Sequence, residues 1–423
     1  MRLSIRDLKS GMITEMPVIS RQGRLLLGQG VILEEKHFRI FKIWGVTEIE
    51  VADGKSSLDS RNGERVEVDP DIFRKSREHI ETLFSQNDPN HPMVSELMRI
   101  CCDRLTDQLT RGKVMPIMND ETVRNPLKNS HKMGVEGIEI PSLDKLVNGY
   151  IKLASFPDIY FRITEVLNNP GSSTSQIAEV VSKDISLSAK LLKLVNSPFY
   201  GLPTRVDSIK RAITLIGSNE LTTLALGISI LNCFKNIPSR LINMKLFWKH
   251  SITCAVTAGL ISQYKVGLSE ERFFIGGLIH DIGRLILLKT APEIMKKILI
   301  RTISSTQPTY EIEREIMGFD HAELSSRILQ KWRFPFALEN MVEYHHAPSL
   351  AKYGLEASII HMADIVTIAM GMGVSGELYI PPIEKEAWII LGLSEGTLDP
   401  LIRQIDRQVS EIILTFLPDS DMT

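Results

Sequence analysis

From Phe273 to Leu288 every residue is apolar or glycine except His280, Asp281 and Arg284. A run of that length and composition belongs in a protein interior, where an ionisable His-Asp pair is costly unless something compensates it. Ser269 is a candidate N-cap, and Glu270 and Glu271 place negative charge in the first turn, so one helix is predicted from there to Leu288. At about 100° per residue, Phe273, Gly277, His280 and Arg284 share a face and Asp281 lies beside His280. Glycine inside a helix costs about 1 kcal/mol against alanine, so Gly276 and Gly277 predict close approach of a second backbone. His280 and Asp281 are then placed to share one metal ion.

Six of the ten histidines fall between 250 and 361. His250, in Trp248-Lys249-His250-Ser251, is followed on its helical face by Cys254, Thr257, Ala258 and Ile261, a small apolar surface suited to packing on the Gly276-Gly277 segment. Asp364 is flanked at helical spacing by Ile360, Ala363, Thr367 and Ile368, so its carboxylate needs a metal or a charged partner. His250, His280, Asp281 and Asp364 together make a mixed N/O set suited to Fe, Mn, Zn or Mg, with positions left for water and a phosphate oxygen. A metal there would activate water and polarise phosphate. The competing reading is a set of core histidines hydrogen-bonded to aspartates. Asp320-His321-Ala322-Glu323 has the form of a capping box, with Leu324, Ile328 and Trp332 facing inward and His321 either a helix-terminal histidine or a further ligand. His345-His346, before Pro348, falls at a helix end near a loop, as a second metal or phosphate contact or as a solvated pair.

The rest of the chain divides by pattern. Residues 1–52 carry short branched or alternating runs broken by glycine, a helix at 34–44 ending at Gly45, and a closing strand at 46–51, which together predict a small β-rich α+β module. Residues 53–111 contain a helical hairpin. Its first helix is marked by Asp69-Pro70, and its second starts at Pro92 with a stripe of Val94, Leu97, Met98, Cys101, Leu105 and Leu109 that can pack on the main domain or on a second copy in a homodimer. Residues 112–141, with Pro116, Pro126 and Pro141, read as a linker. From Ser142 the pattern is mainly α, in short capped pieces, through a domain at 142–350 and C-terminal helices at 351–423 that complete its core. The helices between Ser175 and Asn196 have helix-turn-helix proportions, but the second offers only Lys190 and Lys193 as cations, so packing is the expected role and nucleic acid is not an expected partner.

A net charge of -2 argues against a generally basic nucleic-acid or membrane-surface binder. Four cysteines without CxxC spacing fit a reducing compartment. The first residues show no secretory h-region, and no stretch reaches the roughly 18 to 20 apolar residues of a spanning helix, so a cytoplasmic location away from the membrane is expected.

The order His250, His280-Asp281, Asp364 resembles the HD superfamily of metal-dependent phosphohydrolases. More specifically, residues 142–350 resemble an HDOD domain, the HD-related output domain of bacterial signalling proteins. The motifs are Asn196-Ser197-Pro198-Phe199-Tyr200-Gly201, Ala212-Ile213-Thr214-Leu215-Ile216-Gly217, Trp248-Lys249-His250-Ser251, Gly277 to Gly283, Asp320-His321-Ala322 and His345-His346. Leu8-Lys9-Ser10-Gly11-Met12 and Gly45-Val46 resemble the short segment found ahead of some HD-type domains. The sister HD-GYP family hydrolyses cyclic di-GMP and carries Gly-Tyr-Pro after its double histidine. Here the chain reads His345-His346-Ala347-Pro348-Ser349-Leu350, with Arg284 in place of that family's Lys, which argues against that activity. The resemblance implies a multi-helical output module that acts on signalling proteins and binds a divalent metal or a nucleotide. The alternative it implies is an active phosphohydrolase, with Arg284 or the pair His345 and His346 on the substrate phosphate.

Overall fold

The computed structural model describes residues 69–112 and 140–416, apart from 154–157, 168–170, 203, 232–233, 235–236, 238–240, 266–267 and 269, together with part of the first 52 residues. Ser269, Gly45, Cys233 and the linker at 113–139 lie outside the described residues.

In the N-terminal module, β1 (Arg2–Ser4) and β2 (Ile13–Thr14) both pair antiparallel with β5 (Glu48–Ala52), and β3 (Val18–Ile19) pairs with β4 (Leu25–Leu27). Leu8, Val18, Leu33, Phe41, Ile49 and Val51 form its own small core. His37, Phe38 and Phe41 are helical, within the span where the sequence predicts a helix.

The helical hairpin is α1 (Pro70–Leu83) and α2 (Pro92–Thr110). Asp69 caps α1 by accepting from the Asp71 amide at 2.9 Å, and Pro70 and Pro92 occupy first-turn positions where a missing N–H costs nothing. The stripe on α2 turns inward onto the same chain. Cys101 Sγ donates to the Ala369 carbonyl at 3.2 Å, and Arg104 grips Asp406 through two bonds of 2.5 and 3.0 Å.

Next come α3 (Leu143–Leu153), α4 (Asp158–Leu167), α5 (Thr174–Ser182), α6 (Ile185–Val195), α7 (Ile209–Ile216) and α8 (Ser218–Leu231). Their ends follow from sequence. Ser173 and Gln176 make a reciprocal capping box, two residues earlier than Ser175 predicts, and Asp184 and Ser208 accept from the Leu187 and Arg211 amides. Leu221, Leu224, Ala225 and Ile228 of α8 are buried. Among the described residues no single helix is long and apolar enough to cross a membrane.

The centre of the domain is α9 (Met244–Ser262), buried along nearly its whole length. Against it lies α10 (Glu270–Ile279), followed by α11 (Ile282–Thr290), α12 (Pro292–Ser304), α13 (Thr309–Met317), α14 (His321–Lys331) and α15 (Phe336–Glu343). The C-terminal helices are α16 (Gly354–Ala369), α17 (Lys385–Leu391) and α18 (Leu398–Phe416), of which α16 and α18 pack on α9. A side chain at Gly277 would meet the Ala255 backbone nitrogen at 2.7 Å, which is the close approach of α10 to α9 that the glycine pair predicts.

The single long helix predicted here does not form. The segment running to Leu288 is two helices, broken at His280 and Asp281, with Asp281 at the N-terminal boundary of α11. The break is held from a distance. Ser325 of α14 accepts from the Gly283 amide at 2.8 Å, replacing a helical bond that the turn gives up, and its own proton lies between the His321 carbonyl at 2.8 Å and the His280 carbonyl at 3.1 Å. The wheel that put His280 and Arg284 on one continuous face therefore does not apply.

Candidate metal centre

The break in α10–α11 presents His280 and Asp281 to α9 and α16. His250 Nε2 lies 3.4 Å from His280 Nε2, 3.1 Å from Asp364 Oδ1 and 3.8 Å from Asp281 Oδ2. His280 Nε2 is 3.3 Å from Asp281 Oδ2 and 3.6 Å from Asp364 Oδ1. The first turn of α14 adds His321, whose Nε2 is 3.0 Å from Asp281 Oδ1 and 3.0 Å from His346 Nε2. His345 stacks edge-on to His280 with ring centres 5.1 Å apart. All seven residues that the sequence marks as candidate ligands, His250, His280, Asp281, Asp364, His321, His345 and His346, thus meet in one buried cluster. The solvated alternative for His345 and His346 does not hold, because α15 ends inside the fold and Tyr310 stacks on His346 at 4.4 Å.

The ring orientations suit ligation. His280 Nδ1 lies 2.7 Å from the Gly277 carbonyl and His345 Nδ1 lies 2.7 Å from the Val342 carbonyl, so each Nδ1 donates and each Nε2 faces the cluster. His321 Nδ1 is held by Glu313 at 2.6 Å, a carboxylate behind an imidazole of the kind that orients metal-binding histidines. Asp281 Oδ1, Asp364 Oδ1 and His345 Nε2 are buried without a hydrogen bond. Sets of three donors, His250-His280-Asp364, His280-Asp281-His345 and His321-His345-His346, each lie within 4.8 Å of one another. Orphaned buried donors converging in this way fit a divalent cation, and N/O chemistry fits Fe, Mn, Zn or Mg.

Electrostatics divide the cluster into charged and neutral members. Burial opposes charge on His280, but the adjacent Asp281 outweighs it and lifts the imidazole well above its ordinary pKa. Burial and Arg284 likewise oppose charge on His321, and Glu313 and Asp281 prevail, raising it to about 9. Burial, with the charges of His280 and His321, drives His345 down to about 3 and also depresses His346. Asp281 and Asp364 resist burial because Arg284 and His280 stabilise the first and the nearby His250 and His280 imidazoles stabilise the second, holding both below the usual carboxylate range.

Arg284 does not stand free for a phosphate. Its Nε lies 3.2 Å from Asp281 Oδ1, one terminal nitrogen donates to the Ser375 carbonyl at 3.0 Å and the other is ion-paired to Glu377. Burial opposes its charge, but Asp281 and Glu377 raise its pKa further. It orients Asp281 from behind. His361 lies outside the donor set, its Nδ1 donating to the His345 carbonyl at 2.8 Å and its Nε2 accepting from the Glu384 amide at 3.1 Å.

Three supporting residues escape sequence reading. Glu313 sits in the charged run Glu311-Ile312-Glu313-Arg314-Glu315, which looks like a solvated face. Ser325 carried a readable signal, one helical turn after His321, while Glu377 follows a glycine-rich loop and had none.

The HDOD domain family matches residues 153–348. Among curated proteins, one of Treponema pallidum (strain Nichols) is 24% identical over 195 residues, 46% of this chain and 37% of that protein. YuxH of Bacillus subtilis (strain 168) is 32% identical over 62 residues, 15% of each chain. The chain thus spans well under half the length of either relative. Among solved structures, a candidate phosphohydrolase of Shewanella amazonensis SB2B aligns with TM-score 0.52 and 22% identity, covering 64% of this chain and 97% of that one. A candidate signal transduction protein of Marinobacter aquaeolei VT8 aligns with TM-score 0.50 and 19% identity, covering 74% and 72%. These likenesses support the helical architecture alone. The family match itself shows an HDOD domain at residues 153–348 of this chain.

Proposed function

We propose that the chain is a signal-transduction protein whose HDOD domain holds a divalent metal and acts on a protein partner. His250, His280, Asp281 and Asp364 would bind the ion, with His321, His345 and His346 extending the donor set. The observation that carries this reading is the convergence of seven buried side chains that leaves Asp281 Oδ1, Asp364 Oδ1 and His345 Nε2 without hydrogen bonds. Their full burial and the commitment of Arg284 to Asp281 and Glu377 favour an output centre over an open catalytic one.

Metal-dependent phosphohydrolysis is the second reading, favoured by the donor count, since seven exceed the four to six that one such ion usually takes. A divalent ion would supply Lewis-acid polarisation of a phosphoryl oxygen. The chain's own contribution would be an Asp281 fixed in orientation by Arg284. A nucleotide or other phosphoester is the ligand class for either reading.

Elemental analysis of the purified protein beside His280→Ala and Asp364→Ala variants tests the centre. About one or more equivalents of Fe, Mn, Zn or Mg in the wild type and loss in both variants are expected. A metal-free wild type that takes up none of these ions, with both variants folded, would sink the reading. Turnover of p-nitrophenyl phosphate or its bis-ester by the loaded wild type, abolished in Asp364→Ala, would favour the enzyme over the output module.

A further inference from the structure

A cleft lies between the hairpin and the loop that follows α16. One wall is α1 and α2, with His79, Leu83, Leu105 and Gln108, and the other is Ile368 and the loop from Met370 to Leu378. Its cavity measures about 100 Å³, smaller than the apolar cavity of about 150 Å³ that takes up benzene, and it is partly open to solvent, so a single ring would fill it and reach into the mouth. The hairpin side of this cleft lies outside residues 153–348, so the family match does not describe it.

The lining is mainly apolar, includes His250, and has its charged groups paired. Arg104 is held by both oxygens of Asp406, and Glu377 is held by Arg284 and by the Thr309 amide and hydroxyl at 3.1 and 2.9 Å. Neither charge is left to meet a charged ligand. The Gln108 amide and the His79 ring, by contrast, make no hydrogen bond among the described residues, and both are half-buried in the wall. Burial alone lowers the His79 pKa, so the ring it presents at neutral pH is uncharged. The far wall is firm. A side chain at Gly373 would meet the His250 backbone nitrogen at 2.4 Å, and the Ile380 amide donates to the Leu83 carbonyl at 2.9 Å, which straps the end of the loop to the hairpin.

We propose that this cleft is a binding site for an uncharged, single-ring organic molecule that carries one hydrogen-bonding edge, the ring lying among Leu83, Leu105 and Ile368 and the edge meeting Gln108 and His79. The cleft shares His250 with the candidate metal centre, but the uncharged occupant proposed for it does not require the ion. Its occupant would rest on Ser375 and Glu377, which hold Arg284 from the opposite side.

Benzamide is a suitable probe and benzoate its charged counterpart, both read by saturation-transfer NMR on the full chain. Benzamide is expected to bind at least about tenfold more tightly than benzoate, because the cleft has no unpaired cation to offset burial of a carboxylate. Gln108→Trp, which fills the cleft from a half-buried position, should abolish benzamide binding. Gln108→Ala, which keeps the cleft and removes one neutral hydrogen bond, should weaken it by about two- to tenfold. Thermal melts identify any variant that fails to fold, and the milder Ala variant then carries the test. Equal binding of benzamide and benzoate would overturn the proposal. So would benzamide binding unchanged in either folded variant, or none to the wild type at 20-fold excess over about 1 mM.

Discussion

Ser325 holds a helix break open from a distance of more than forty residues, and the cost of losing it should be measurable. Ser325→Ala leaves the Gly283 amide buried without that partner, so a loss of about 1 to 3 kcal/mol in urea unfolding is expected. Arg284→Met is predicted to be more severe, about 3 to 5 kcal/mol, because Asp281 and Glu377 lose the cation between them. A loss under about 1 kcal/mol would contradict that account. Protonation gives a further expectation. In the metal-free protein His321 titrates near 9 against about 6.5 in an unfolded chain, and His280 is shifted the same way. Their stabilisation is complete below about pH 6.5 and is lost as pH rises through about 9, whereas that of Asp281 and Asp364 is lost on acidification. Ligation needs neutral imidazoles, so metal uptake near pH 7.5 should release protons. Calorimetric titration in two buffers of different ionisation enthalpy measures the release, and equal heats would contradict it.

At the scale of elements, the contact of α9 with α10 is set by a missing side chain. Gly277→Ala would place a methyl group within 2.8 Å of Ala255 backbone atoms and should cost about 1 to 3 kcal/mol, with a fall in metal content as His280 shifts. A melting temperature and metal load equal to wild type would refute this. That contact was legible in advance, because paired glycines inside an apolar helix have few other uses. The donor residues were legible for a related reason. His280, Asp281 and Asp364 are polar groups in runs that otherwise have to be buried, and burial demands a partner. The caps at Asp69, Asp184, Ser208 and Asp320 were readable because each bonds within three residues of itself. The break at His280–Asp281 was not, since the groups that stabilise it come from α14, and local periodicity carries no trace of them. The role of Arg284 was missed likewise, its partner Glu377 lying 93 residues away.

Across the whole molecule, the recognisable domain and the physical one differ. The family match ends at residue 348, yet Asp364 lies on α16, and α16 and α18 cover α9. The hairpin in turn covers α16 and α18 through Cys101 and Arg104. A fragment limited to 153–348 is therefore expected to retain less than about a tenth of the full chain's metal and to bind a dye for exposed apolar surface. Full metal load in that fragment would contradict the shared core. The portable unit, the piece expected to be fused to another sensor or exchanged between relatives with its properties intact, would run from the hairpin to the end of α18. Grafts cut at the family's edges would transplant a signature without the walls that give it meaning.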